Sequence, residues 1–335
     1  GLTYGCGLLI SNPSKLRLMK KIQILKNGKQ LVYILFSVVF FMQCTPEKKE
    51  PFFKLSLAQW SFNQWVEEGK VSPYEFARLA SEWEFEGIEY VSQLYYDVRD
   101  AEDRDAALAE FVAKSKQESE KYGIENVLIM IDDEGDLSDP DPEARNQAIA
   151  NHIDWVKAAS ALGCSSVRVN LKGTDDVETW KKTSILGLTE LAKQAAPYNI
   201  NVIVENHGGL SSNAGLLMEV INAINLPNCG TLPDFGNFCL ESDWGGINGD
   251  CPKKYPIYKG VEEMLTKAFA VSAKSYEFDS NGNEVNIDYA KMLKLVRNAG
   301  YTGFIGVEYE GNKLAEPEGI AATRNLLLQT AQNLN

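Results

Sequence analysis

From Lys54 onward, short apolar runs alternate with longer segments in which apolar side chains recur every three or four residues, the pattern of strands followed by amphipathic helices. The runs 54–60, 87–91, 124–131, 166–171, 202–205, 229–234, 269–276 and 304–309 read as strands. The segments 73–84, 102–122, 143–162, 177–198, 213–224, 261–267, 287–298 and 317–333 read as helices. Pro73 stands at a favourable first-turn position, and Leu108, Phe111 and Val112 mark the apolar face of the second helix. Eight strand–helix pairs predict an α/β fold, a single-domain (β/α)8 TIM barrel over residues 51–335. A doubly wound open sheet is the competitor, but no Gly-x-Gly-x-x-Gly follows the first strand.

Residues 1–50 follow a different pattern. Lys20, Lys21, Lys26 and Lys29 precede the apolar run Leu31 to Met42, and Cys44 follows at once, the layout of a signal peptide. The run is too short to span a bilayer, which needs roughly 20 residues. Residues 1–50 are therefore expected to be leader, signal peptide and tether, with Met19 as the natural start of the signal. The stretch Phe41-Met42-Gln43-Cys44 resembles a bacterial lipoprotein signal, in which the cysteine becomes the lipidated N-terminus. Gln43 departs from the small residue usual there, and a plain secretory signal cut nearby is the alternative. Either way the protein is expected to be exported, periplasmic or in the cell envelope, and the lipoprotein reading has it touch the membrane only through a lipid anchor at Cys44.

Composition adds an exclusion. With 44% hydrophobic and 24% charged residues the chain is ordinary for a globular protein, but its formal net charge of -13 argues against a nucleic-acid partner, which needs clustered Lys and Arg. Of six cysteines, Cys164, Cys229, Cys239 and Cys251 lie beyond the leader, and no Cys-x-x-Cys occurs, so a zinc ribbon or thioredoxin-type site is unsupported. They are read as free thiols, with Cys239 and Cys251, in one polar loop, as the pair that export would permit to join.

The chemistry gathers at the strand ends. Val202-Ile203-Val204-Glu205-Asn206-His207-Gly208-Gly209 describes a buried strand running into a polar, tightly turning loop. The next strand ends in Asp234, and the last in Glu308 with Glu310. A barrel brings these ends to one mouth, where three carboxylates would repel one another unless a cation sat among them. One divalent metal ion is the economical answer: oxygen ligands suit Mg or Mn, and a nitrogen ligand would widen the choice to Zn, Co or Ni.

The segments Glu205-Asn206-His207, Thr231-Leu232-Pro233-Asp234-Phe235-Gly236-Asn237, Ala273-Lys274-Ser275-Tyr276 and Gly306-Val307-Glu308-Tyr309-Glu310-Gly311 resemble the motif set of the sugar phosphate isomerase/epimerase family, the xylose isomerase-like barrels. The resemblance runs from residue 54 to the end, and the order and spacing of the motifs carry it. It implies that Glu205, Asp234 and Glu308 bind one divalent metal. Where relatives commonly have His two residues before the Lys, this chain has Ser272, so the fourth ligand is left among Ser272, a water and His207. It also implies a mechanism in which the metal acidifies the C–H beside a sugar carbonyl and stabilises an enediolate. Glu205 and Glu308 would then exchange the proton.

His207 and Lys274 are candidates to contact the substrate's oxygens. Arg168 and Lys172 around the fourth strand, Glu89 on the second and Trp60 on the first are candidates for the mouth's wall and floor, and Trp244, set among glycines, for a lid aromatic. His152 lies in a helical context and reads as structural. An exported enzyme would rarely meet a sugar phosphate, so a free sugar, an oxidised sugar or a glycoside is the expected small-molecule carbohydrate substrate. Proton removal beside its carbonyl leads to isomerisation, epimerisation, or loss of a β-substituent by a lyase or dehydratase. A non-catalytic carbohydrate-binding barrel is the rival from another class, because Ser272 interrupts the ligand set. The apurinic endonucleases of the superfamily use several zinc ions and many histidines, and two histidines do not supply them.

Overall fold

The computed structural model describes residues 50–334, so the signal, the tether and Cys44 lie outside the described residues. In chain order the main elements are β1 (Lys54–Ala58), α1 (Asn63–Glu67), α2 (Phe76–Glu82), β2 (Gly87–Val91), α3 (Tyr96–Arg99), α4 (Arg104–Tyr122), β3 (Glu125–Met130) and α5 (Pro142–Leu162). They continue as β4 (Ser166–Val169), α6 (Val177–Ala195), β5 (Asn201–Glu205), α7 (Ala214–Ile224), β6 (Cys229–Leu232), α8 (Ile257–Leu265), β7 (Val271–Ser275), α9 (Tyr289–Asn298), β8 (Phe304–Tyr309) and α10 (Glu316–Leu334).

The eight strands are parallel and pair in sequence order, with β8 returning to lie against β1. The bridges Thr231–Ala268 and Asp234–Ser272 bring β6 to β7 and close the ring. This is the TIM barrel that the alternating pattern predicts. Val167, Val169, Val202 and Val204 are fully buried and alternate along their strands with Arg168, Ile203 and Glu205. Strand alternation sends one set to the helices and the other to the barrel interior. There Ser56, Glu89, Arg168, Glu205, Ser272, Lys274 and Glu308 make a polar inner face, although branched apolar side chains dominate most such interiors.

Two boundaries differ from the pattern-based expectation for physical reasons. The first strand stops at Ala58, because Gln59 turns its side chain inward. There it donates to Pro73 O and Tyr95 Oη and accepts from Val91 N, and Gln59–Phe62 coils into a 3-10 turn that brings Trp60 to the barrel mouth. The expected helix over 73–84 is a 3-10 turn, Pro73–Glu75, closed by a Ser72/Glu75 capping box, followed by α2. Glu84 has left-handed backbone, φ 60°, which ends the helix before it.

Candidate active site

The carboxyl ends of β5, β6 and β8 deliver Glu205, Asp234 and Glu308 to one point, each buried, with one oxygen from each lying within 4.8 Å of the others. Asn206 fixes the Asp234 backbone by accepting from its N–H at 2.8 Å and donating to its carbonyl at 3.1 Å. Asp234 Oδ1 accepts from the backbone N–H groups of Gly236 and Asn237, both at 2.8 Å. Asn237 Nδ2 in turn donates to Glu205 Oε1 at 3.1 Å. The other Glu205 oxygen, Oε2, lies 2.9 Å from Arg168 Nε, but the N–H is not aimed at it, so both atoms are buried without a hydrogen bond.

Ser272 stands between the remaining carboxylates, 2.6 Å from Asp234 Oδ2 and 2.9 Å from Glu308 Oε2. A hydroxyl carries one proton and can donate to only one of them, so the second contact is satisfied only if that carboxyl itself carries a proton. Burial pushes Asp234 up to about 7, with Lys274 opposing and the Glu308 charge adding. Burial likewise lifts Glu205 well above the usual carboxylate range, against the pull of Arg168. Lys274 is fully buried, its Nζ 2.7 Å from Glu310, 3.2 Å from Glu308 and 3.9 Å from Asp234. Burial opposes its charge, but the carboxylates win and hold it protonated. Arg168 and Lys274 are thus two cations shared among these three acids and the neighbouring Asp132 and Glu310, and protons or a further cation must supply the balance. Three converging oxygens, one without an aligned donor, are a donor set that fits a hard divalent ion.

Above this cluster opens a cavity of about 320 Å³ lined by Trp60, Gln93, Asp132, Arg168, His207, Trp244, Glu308 and Glu310. His207 lies at its wall with Nδ1 buried and unpartnered, edge-on to Trp244 at 5.6 Å. Burial, helped by the nearby Arg168 charge, lowers its pKa to about 3, so the ring is neutral. It is not among the acids that could share an ion, so of the fourth ligands considered only Ser272 touches two members of the set. Lys172 lies outside this cavity, with Nζ 3.6 Å from the centre of the Trp244 ring.

The expectation that Glu89 forms a sugar-facing floor is corrected: it is fully buried and does not line the cavity. Its Oε1 accepts from Ser56 Oγ at 2.6 Å, Oε2 has no partner, and a Cβ on Gly306 would come within 2.5 Å of it. Burial raises its pKa to about 8 against the Ser56 bond, with the Glu308 charge adding to the rise. The folded state therefore keeps a proton that the unfolded chain releases near 4.5, and stability falls as pH rises from about 4.5 to about 8. Glu89→Gln, which mimics the protonated form, is expected to remove about 3 kcal/mol of that fall. Urea unfolding of the metal-free protein at pH 5 and pH 8 measures it, and an unchanged fall in the variant would refute the assignment.

Two features tie the loops over the mouth. Gly208 has φ +96°, and a Cβ there would lie 2.2 Å from Asp243 O, so only glycine lets the β5 loop touch the β6 loop that carries Trp244. The free-thiol reading fails for Cys239 and Cys251, which form a disulfide across that same β6 loop, while Cys164 and Cys229 are free and buried. Sequence reasoning missed Asp132, which accepts from Arg168 and Asn170, both at 2.7 Å. It lies two residues beyond β3, as the other acids lie at their strand ends, and that position was the available signal. Gln93 carried none.

A closed parallel barrel with three buried acids gathered at the carboxyl ends of its strands defines the class: a TIM barrel whose mouth can hold a divalent cation. More particularly, the chain belongs to the xylose isomerase-like TIM barrel family, whose model matches residues 77–330. Among solved structures it is similar to a 3-keto-D-glucoside 4-epimerase from E. coli (14% identity, TM-score 0.62, covering 83% of this chain and 99% of that one). It is also similar to a D-allulose 3-epimerase from Methylomonas sp. (14%, 0.63, 85% and 100%). A third is the IolI protein crystallised with a zinc atom (17%, 0.59, 84% and 99%). A stretch of 54 residues is 33% identical to the C-glycoside deglycosidase alpha subunit of Arthrobacter globiformis, and that match spans 16% of this chain and 15% of the relative.

Proposed function

We propose that this chain moves a proton beside the carbonyl of a carbohydrate, as a sugar isomerase or epimerase, with Glu205 and Glu308 as the acid/base pair. The observation that carries the reading is the charge-deficient cluster of Glu205, Asp234 and Glu308 under a cavity of sugar size. A divalent ion, Mg or Mn by the all-oxygen donor set, would be held by these three and would supply positive charge beside the substrate's oxygens. Glu205, whose Oε2 is buried beneath the cavity without an aligned donor, is assigned the removal of the proton from carbon. Glu308, which enters the cavity from the end of β8, returns the proton at the neighbouring carbon or on the other face. Neutral His207 and cationic Arg168 orient the substrate's oxygens, and Trp60 and Trp244 wall the sugar from water. The same first step with a leaving group one carbon further on is an elimination from a 3-keto-glycoside, the second reading, and the short likeness to a deglycosidase subunit favours it.

The test is exchange in deuterated water. The purified chain, stripped with chelator and reloaded with Mn, is incubated with ketoses and 3-keto-glycosides and followed by NMR. Deuterium should enter at the carbon beside the carbonyl only in the reloaded sample, and release of an aglycone would identify elimination. Sugar binding with no exchange on any substrate would favour the binding barrel. We further propose that the protein works outside the cytoplasm. The support is the apolar run before Cys44 together with the joined Cys239 and Cys251. Cys44→Ala should move it from the membrane fraction to the soluble fraction, and an unchanged distribution would refute the anchor.

A further inference from the structure

A second cavity, also about 320 Å³, opens beside the first, and the two share Asp132 and Trp244 as their common wall. Its other lining residues come from the loops after β3 and β4 and from α5: Asp133, Asp136, His152, Asn170 and Lys172. Nothing in the proton transfer described above uses this space.

Two of the polar groups facing it, on His152 and Asn170, offer acceptors without donors. His152 is 2% exposed, and its Nδ1 lies 2.7 Å from the carbonyl oxygen of Ala148, one turn back on α5. A carbonyl can only accept, so Nδ1 carries the ring proton. Burial lowers the pKa of this histidine to about 4, against the Ala148 bond, and the ring is neutral. Its Nε2 is therefore a bare acceptor on a side chain that lines the cavity. Asn170 donates its amide to Asp132 at 2.7 Å, which leaves Oδ1 buried with no partner. A buried acceptor without a donor, as Asn170 Oδ1 is, is costly unless something brings an O–H or N–H group to it.

A metal ion is a poor match for this second space. Asp136 accepts from Ser138 Oγ at 2.7 Å and from the backbone N–H groups of Ser138 and Gly173, and Asp132 Oδ1 takes Arg168 and Asn170. Among the described residues the group that could hold an ion is Glu205, Asp234 and Glu308, beneath the first cavity. The Lys172 ammonium, 3.6 Å from the Trp244 ring centre, would repel a second cation. What fits is a neutral, hydroxyl-rich group that donates to His152 Nε2 and Asn170 Oδ1 and accepts from Lys172.

We propose that this cavity is a second sugar subsite, so that the substrate is a glycoside of two pyranose rings, the reacting ring in the first cavity and the other beyond Trp244. The proposal deepens the carbohydrate reading of the mouth and rests on it. It is tested by binding, which needs no turnover: calorimetry of the full chain with cellobiose and maltose against methyl glucoside. A disaccharide should bind about tenfold tighter than the monosaccharide, and His152→Phe should remove that advantage while leaving methyl glucoside binding within about twofold. Should His152→Phe fold poorly, Lys172→Ala, an exposed position, reads the same difference. Equal affinity for both sugars in the wild type, or an advantage untouched by the variants, overturns the subsite whatever the exchange assay shows. A disaccharide advantage that the variants abolish, in a protein giving no exchange, upholds the subsite and sinks the proposed proton transfer instead.

Discussion

Glu308→Gln is expected to slow carbon-bound deuterium exchange by about 10³-fold, within the range general acid–base groups contribute. The amide keeps the shape of the side chain but can neither take nor return a proton at neutral pH. Glu308 meets Ser272 and Lys274 on one side and the cavity on the other, so both oxygens are already placed for their partners and the variant has little reason to rearrange. A ligand role is separated from a proton-transfer role by measuring bound Mn in the same sample. Full metal occupancy with lost exchange assigns the proton to Glu308, whereas exchange within tenfold of wild type removes it from the mechanism. Glu205→Gln should fall comparably if Glu205 is the other member of the acid/base pair proposed above.

Lys274→Met is expected to cost the metal-free protein about 3–5 kcal/mol, the range found when one partner of a buried ion pair is removed. For a chain of this size that is a fall in Tm on the order of 10 °C. The ammonium is 0% exposed and lies against Glu310, Glu308 and Asp234, so methionine fills its volume and leaves those carboxylates without a counter-charge inside the barrel. Saturating Mn should recover part of the loss, since an ion held by Asp234 and Glu308 replaces the missing charge. Scanning calorimetry with and without Mn measures both effects, and a variant as stable as wild type in chelator would show that Lys274 does not carry this balance.

The barrel was legible because each strand is an apolar run of the right length bounded by polar turns, and alternation along a strand has one period. The three acids were legible for the same reason: each closes such a run, and closure of the ring does the rest. Depth was not legible. Alternation places Glu89 on the inner face as surely as Glu205, but only the registers Ser56–Gly87 and Ser56–Gly306 put it low in the barrel, against Ser56 and under a glycine. Asp132 was hidden by its surroundings, since a strand-end acid followed by Asp133, Glu134 and Asp136 reads as the start of a solvated loop. The Cys239–Cys251 bond depends on a loop folding back on itself, which spacing alone does not decide. Ser272 reads as a gap in a ligand set, and its hydroxyl between two carboxyls becomes visible only in three dimensions.

The close approach of Gly208 to Asp243, with the edge-on packing of His207 and Trp244, joins the segments that bear these two side chains. A side chain forced in at Gly208 is therefore expected to displace His207 and Trp244 together rather than either alone.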